Sequence, residues 1–105
     1  MIVVSDTSPI LNFDAVGKVH LLRDLYAEIV IPAAVQSELS RNSIQLDPSW
    51  IRVLAAQNQG DVAILREQLD AGEAEAIVIA LELRAELLLV DEKRGRRIAI
   101  DRVWK

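Results

Sequence analysis

Asp6 and Asp91 each follow a short apolar run, Ile2-Val3-Val4-Ser5 before the first and Leu87-Leu88-Leu89-Val90 before the second. If both runs are buried parallel strands, the two carboxylates emerge at strand C-termini. Open α/β sheets gather their functional groups there, above all where the strand order reverses. Two more acids fall where they can join them. Glu38 lies late in the helix expected after the second strand, and Glu73 opens the helix expected before the fourth. A rise of 1.5 Å per residue carries Glu38 about 9 Å past Pro32, so its reach into the crevice rests on that helix's tilt. Carboxylates that share a crevice raise one another's pKa, and a divalent cation relieves the conflict. Mg²⁺ or Mn²⁺ favours carboxylates and water in octahedral geometry. Such an ion generates a hydroxide-like nucleophile and steadies the leaving oxygen, which is the chemistry of phosphodiester hydrolysis.

The remaining composition narrows the field. With no cysteine there is no disulfide and no thiolate metal site, so a metal must sit on oxygen or on the single His20, which has no partner at metal-ligand spacing. The 16 acidic residues make oxygen the expected donor. A net charge of −4 argues against a broad electrostatic grip on nucleic acid. Lys93, Arg94, Arg96, Arg97, Arg102 and Lys105 nevertheless gather near the chain's end, and a nucleic-acid contact is expected there. No run approaches the roughly 18 apolar residues of a membrane span, and the N-terminus lacks a secretory pattern, so a cytoplasmic protein is expected. At 105 residues, 51% hydrophobic and 27% charged, the chain reads as one domain.

Residues 1–5, 28–32, 51–55 and 87–91 read as strands, apolar without alternation as strands buried on both faces are. Helices are expected over 9–16, closed by Gly17, and over 19–26 with Leu21, Leu22 and Leu25 inward. Others are expected over 32–40, with Pro32 in the first turn, over 61–69, and most clearly over 72–84. Strands separated by helices indicate an α/β fold with a parallel sheet covered on both faces.

Each acid also has a structural reading. Asp6 and Asp91 can cap the helices that follow them. Asp70-Ala71-Gly72-Glu73 has the spacing of a capping box, in which the glutamate closes the helix start. Glu38 can pair with Arg41 three residues on, a contact of only ~0.2–0.5 kcal/mol. Glu75, Glu82 and Glu86 are assigned to solvent, and the terminal basic cluster can be a solvated helix face. The case for a site therefore rests on joint placement.

The opening Val3-Val4-Ser5-Asp6-Thr7-Ser8-Pro9-Ile10-Leu11-Asn12 resembles the start of a PIN domain, in the DUF3368-like branch related to VapC-type toxin ribonucleases. Three further segments resemble the later acidic motifs in order: Ile31-Pro32-Ala33-Ala34-Val35-Gln36-Ser37-Glu38-Leu39, then Leu69-Asp70-Ala71-Gly72-Glu73-Ala74-Glu75-Ala76-Ile77, then Leu88-Leu89-Val90-Asp91-Glu92-Lys93-Arg94-Gly95-Arg96-Arg97-Ile98-Ala99. The resemblance implies that Asp6, Glu38, Glu73 and Asp91 are the catalytic, metal-binding acids. Glu73 is preferred to Glu75 because its 18-residue separation from Asp91, against 16, is similar to the family's interval. It further implies that Thr7, Ser8, Asn12, Arg96 and Arg97 serve the substrate, with Asn12 steadying the first loop. A sheet ordered 3-2-1-4-5, RNA as substrate, a homodimer and inhibition by a cognate antitoxin follow from the resemblance alone.

A typical member continues well past the fourth motif with a fifth strand, whereas this chain ends at Ile98-Ala99-Ile100-Asp101-Arg102-Val103-Trp104-Lys105. The expectation is a C-terminally truncated PIN-like domain, three-layered α/β/α with strand order 3-2-1-4 and the fifth strand missing. A second copy, with Trp104 as an apolar anchor, is expected to cover the exposed edge. Two functions from different classes follow. One is a Mg²⁺- or Mn²⁺-dependent endoribonuclease, the toxin of a toxin–antitoxin pair. The other is a catalytically inactive PIN remnant that self-associates or binds an antitoxin. A haloacid-dehalogenase phosphatase wants an aspartate where Ser8 stands, a receiver domain wants paired acids at the first strand end, and glycine-rich phosphate loops are absent.

Overall fold

A computed structural model describes residues 1–90; Asp91, Arg96, Arg97, Trp104 and the expected loss of a fifth strand lie outside the described residues. The chain runs β1 (Val3–Ser5), α1 (Thr7–Ala15), α2 (His20–Tyr26), β2 (Ile29–Pro32), α3 (Ala33–Arg41), β3 (Ile51–Leu54), α4 (Gln59–Leu65), α5 (Ala71–Leu83) and β4 (Leu87–Leu89). All strand pairs are parallel and the order is β3-β2-β1-β4. This is the expected α/β/α arrangement. The chain steps outward from β1 through β2 to β3, then returns to add β4 on the other side of β1, so the order reverses between β1 and β4. Ser5 stands opposite Leu89, and the Asp6 N–H donates to the Leu89 carbonyl at 3.0 Å.

Strand alternation divides the core in two. Val4, Val30 and Leu88 pack on one face with Ile77, Val78 and Ile79 of α5 and with Val62 and Leu65 of α4. Val3, Ile29, Ile31 and Ile51 pack on the other with Ile10, Leu22, Val35, Leu39 and Trp50. α5 is buried along most of its length, which explains its lack of amphipathic patterning.

Several element ends follow from local chemistry. α1 begins at Thr7 rather than at residue 9, which places Pro9 in the first turn, where a missing N–H has no intrahelical partner to lose. Gly17 ends it as expected. Its φ of +69° suits glycine, its N–H donates to the Asp14 carbonyl and the Lys18 N–H to the Phe13 carbonyl, which is a Schellman closure. α4 covers Gln59–Leu65 instead of 61–69, because Asn58 caps it by accepting from the Asp61 N–H.

α2 corrects the sequence reading. Leu21 is 38% exposed and Leu25 67%, so neither turns inward. Leu21/Leu25 and Leu22/Tyr26 are both stripes with four-residue spacing, and the short helix packs the second of them against the core.

Glu86 is exposed as expected, yet its carboxylate accepts the Ile2 N–H and ties the start of β1 to the approach of β4. That bond holds the Glu86 carboxyl below its ordinary 4.5. A depressed carboxyl contributes stability above its unfolded pKa and loses it as the pH falls through the folded value. Acidification from about pH 6 to about pH 3 is therefore expected to lower the melting temperature of the wild type more than that of Glu86→Gln, followed by circular dichroism. Equal pH dependence in the two proteins would show that the Ile2 contact does not form.

Candidate active site

The candidate site lies beyond the C-terminal ends of β1 and β4. Asp6 leaves β1 in the N-cap position of α1, but its side chain makes no capping hydrogen bond. The carboxylate is 3% exposed and packs against the start of α5. A Cβ on Gly72 would stand 3.1 Å from Asp6 Oδ1 and 3.2 Å from Val35 Cγ2. Gly72 is thus where α5 comes close to both β1's end and α3, and a larger side chain would push that helix away.

Glu73 follows directly. It is 6% exposed, and its Oε2 is enclosed in protein. Asp70 caps α5 by accepting the Glu73 N–H at 2.8 Å, which supplies the aspartate half of the expected capping box. The capping reading of Glu73 therefore holds for its backbone, while its side chain is buried in the protein.

Glu38 is reached through Thr7. The Thr7 hydroxyl donates to Glu38 Oε2 at 2.7 Å, and Thr7 is itself buried. The tilt of α3 thus brings Glu38 to the top of β1, and the local alternative of a pair with Arg41 is not among the ion pairs of the described residues, which are Arg23–Asp24 and Arg52–Glu28. Thr7 has a specific task in holding Glu38 beside Asp6. Ser8 is half-buried. Asn12 is exposed and lines a groove of about 310 Å³ together with Phe13, Leu22, Leu25, Leu89 and Val90.

Like Glu86, the other two acids expected to face solvent have partners. Glu75 Oε2 accepts the Ala34 N–H at 3.3 Å, and the Glu82 carboxylate accepts the N–H groups of Gln57 and Asn58 at 2.7–3.1 Å. Both glutamates stand on α5 and satisfy the openings of other elements, α3 and the turn before α4. One sequence signal points to the first of these. α3 opens Pro32-Ala33-Ala34-Val35, with no side chain to cap it and no acid in its first turn, so an acceptor must come from elsewhere.

The donors suit a hard divalent cation in kind, since Asp6 and Glu73 are both buried carboxylates. Among the described residues no three His, Cys, Asp or Glu side chains are grouped closely enough to hold an ion. Asp91, two residues past β4, is the acid that the sequence adds to the set, and it lies outside the described residues. No helix of the described residues is long and apolar enough to cross a membrane.

Comparison with curated proteins and with solved structures gave no match. The family model DUF3368, described as a PIN domain, matches residues 2–103 and so takes in all four acidic segments. Together with the parallel sheet and its order of strands, that match makes this chain a member of the DUF3368 PIN-domain family, whose fold is of the nuclease type.

Proposed function

We propose that the protein is a Mg²⁺- or Mn²⁺-dependent endoribonuclease, the toxin of a toxin–antitoxin pair. The observation that carries this reading is the burial of Asp6 and Glu73 at the reversal of strand order, with Glu38 held alongside by Thr7. Asp6, Glu73 and Asp91 would hold the ion, with Glu38 contributing from α3. When bound, the ion supplies an activated water and charge compensation at the leaving oxygen.

The chain's own residues prepare the rest. The Asp6 backbone is fixed by its bond to Leu89, so its carboxylate needs no reorganisation to receive a cation. The Thr7 hydroxyl donates a hydrogen bond to one oxygen of Glu38, whose other oxygen can still accept. Ser8, beside it, is the nearer hydroxyl for a water or phosphate oxygen. Arg96 and Arg97 follow Asp91 closely enough in sequence to meet the substrate's phosphates. The test is cleavage of a mixed RNA pool by purified protein with Mg²⁺ or Mn²⁺, beside an EDTA control and Asp91→Asn. Cleavage that needs the metal and Asp91 is expected; folded wild-type protein that cuts nothing would overturn the reading.

A role in association is favoured by one observation. Val16, Leu21 and Leu25 are exposed on the α1–α2 face, beside the apolar groove that reaches β4. Exposed apolar patches of this kind mark contacts with other proteins. A homodimer or an antitoxin would use that face, and neither use conflicts with nuclease activity. If it is the homodimer face, Leu25→Asp is expected to convert a dimer to a monomer in sedimentation at micromolar concentration. An unchanged sedimentation coefficient would remove α2 from the interface.

A further inference from the structure

We propose that Glu75, the second carboxylate of Gly72-Glu73-Ala74-Glu75, is a positioning residue that sets Glu38 relative to Asp6 and Glu73. α3 begins after Pro32 with no side-chain cap, no acid in its first turn and two alanines that cannot accept a hydrogen bond. Its exposed N–H groups and positive end need an acceptor and a negative charge. Glu75 supplies both, its Oε2 accepting the Ala34 N–H across 41 residues of sequence. Ala34 and Glu38 are four residues apart, hence on one face of α3 and one turn from each other.

The other contacts close the frame. Val35, next to Ala34, packs against Gly72, which is one turn before Glu75 on the same face of α5 and touches Asp6. At the far side of that turn Glu38 receives the Thr7 hydroxyl, and Thr7 is the neighbour of Asp6. α3 is thus held at its start by α5 and one turn later by α1, at Glu38 itself. Glu73 and Glu75, two residues apart, point to different sides of α5 and divide the work: one is buried, the other anchors the helix that brings the next acid. Glu75 touches neither substrate nor ion in this account.

The inference rests on the proposed cation site for its consequence but not for its geometry, and the experiment separates the two. In metal-free protein, amide hydrogen exchange at Ala34 and the carbon-13 shift of the Glu38 carboxyl are followed by NMR for wild type, Glu75→Ala and Glu75→Gln. Mn²⁺ affinity of each is measured by titration calorimetry. Glu75→Ala is expected to speed exchange in the first turn of α3, move the Glu38 signal and weaken Mn²⁺ binding roughly 10-fold, the lower end for loss of a group that orients a ligand. Glu75→Gln keeps an acceptor for Ala34 and is expected to recover protection, shift and most of the affinity. Unchanged exchange and Glu38 shift in Glu75→Ala would overturn the inference. So would Glu75→Gln that keeps both signals yet loses Mn²⁺, since Glu75 would then be a ligand. Failure of the wild type to bind Mn²⁺ would sink the cation reading, while the NMR signals would still decide the role of Glu75.

Discussion

Asp6→Asn is expected to lower metal-dependent RNA cleavage on the order of 10²–10³-fold, the loss that follows removal of one group stabilising charge in a transition state. The substitution separates the two roles open to this residue. Asparagine caps helices as well as aspartate does, so a residue that served only to start α1 would tolerate it. Asp6 holds the N-cap position without making the capping bond, and its carboxylate is buried against Gly72. What asparagine removes is the charge. The metal-free variant is expected to remain folded while losing activity. A variant that cleaves at the wild-type rate, or one that loses activity only because it unfolds, would contradict this assignment. Rates under single-turnover conditions beside melting curves distinguish the outcomes.

Ile77→Ala is the substitution expected to do most harm to the fold. Ile77 is fully buried in the centre of α5, in the cluster with Val4, Val30 and Leu88. Truncating a buried isoleucine costs about 2–5 kcal/mol. A domain of this size has a total stability of roughly 5–15 kcal/mol. A fall in Tm on the order of 10–20 °C is expected. Because α5 also carries Gly72, Glu73, Glu75 and Glu82, the loss falls on the element that positions the site. Ile64→Ala on α4, where the side chain is 56% exposed, is the comparison and is expected to melt within a degree or two of wild type. If both variants melt alike, the packing described for α5 is wrong.

The strands were legible because a strand buried on both faces is apolar without alternation, as β1 and β2 are; β3, with exposed Arg52, fits that pattern only in part. Their order was legible too, but from the family resemblance: apolar runs alone do not say that β4 lies beside β1. Asp70 as a cap was readable from local spacing, since capping links residues three apart. What escaped the sequence was long-range or two-fold ambiguous. Thr7 finds Glu38 across 31 residues, and Glu82 finds Gln57 across 25, distances at which no periodicity operates. Thr7 was assigned to substrate and turns out to hold Glu38. In α2 the sequence contains two equivalent leucine-bearing stripes, and only packing against β4 and α1 decides that Leu22 and Tyr26 go in while Leu21 and Leu25 stay out. Glu75 was the readable omission, because α3 visibly lacks its own cap.

These contacts have one theme. α5 is the most buried helix on the sheet, and its carboxylates at positions 73, 75 and 82 are placed differently: one is buried in the protein, one anchors α3, one anchors the turn before α4. Of the three positions only Glu73 is buried, and the proposed function assigns that carboxylate to a cation.

Titration calorimetry of Mn²⁺ into metal-free wild-type protein and Asp6→Asn is the most direct test of that claim. Saturable binding by the wild type, abolished or weakened at least ~10-fold in the variant, is the predicted result. Equal heats from the two folded proteins, or none from either, would mean that the buried carboxylates are not there for a cation.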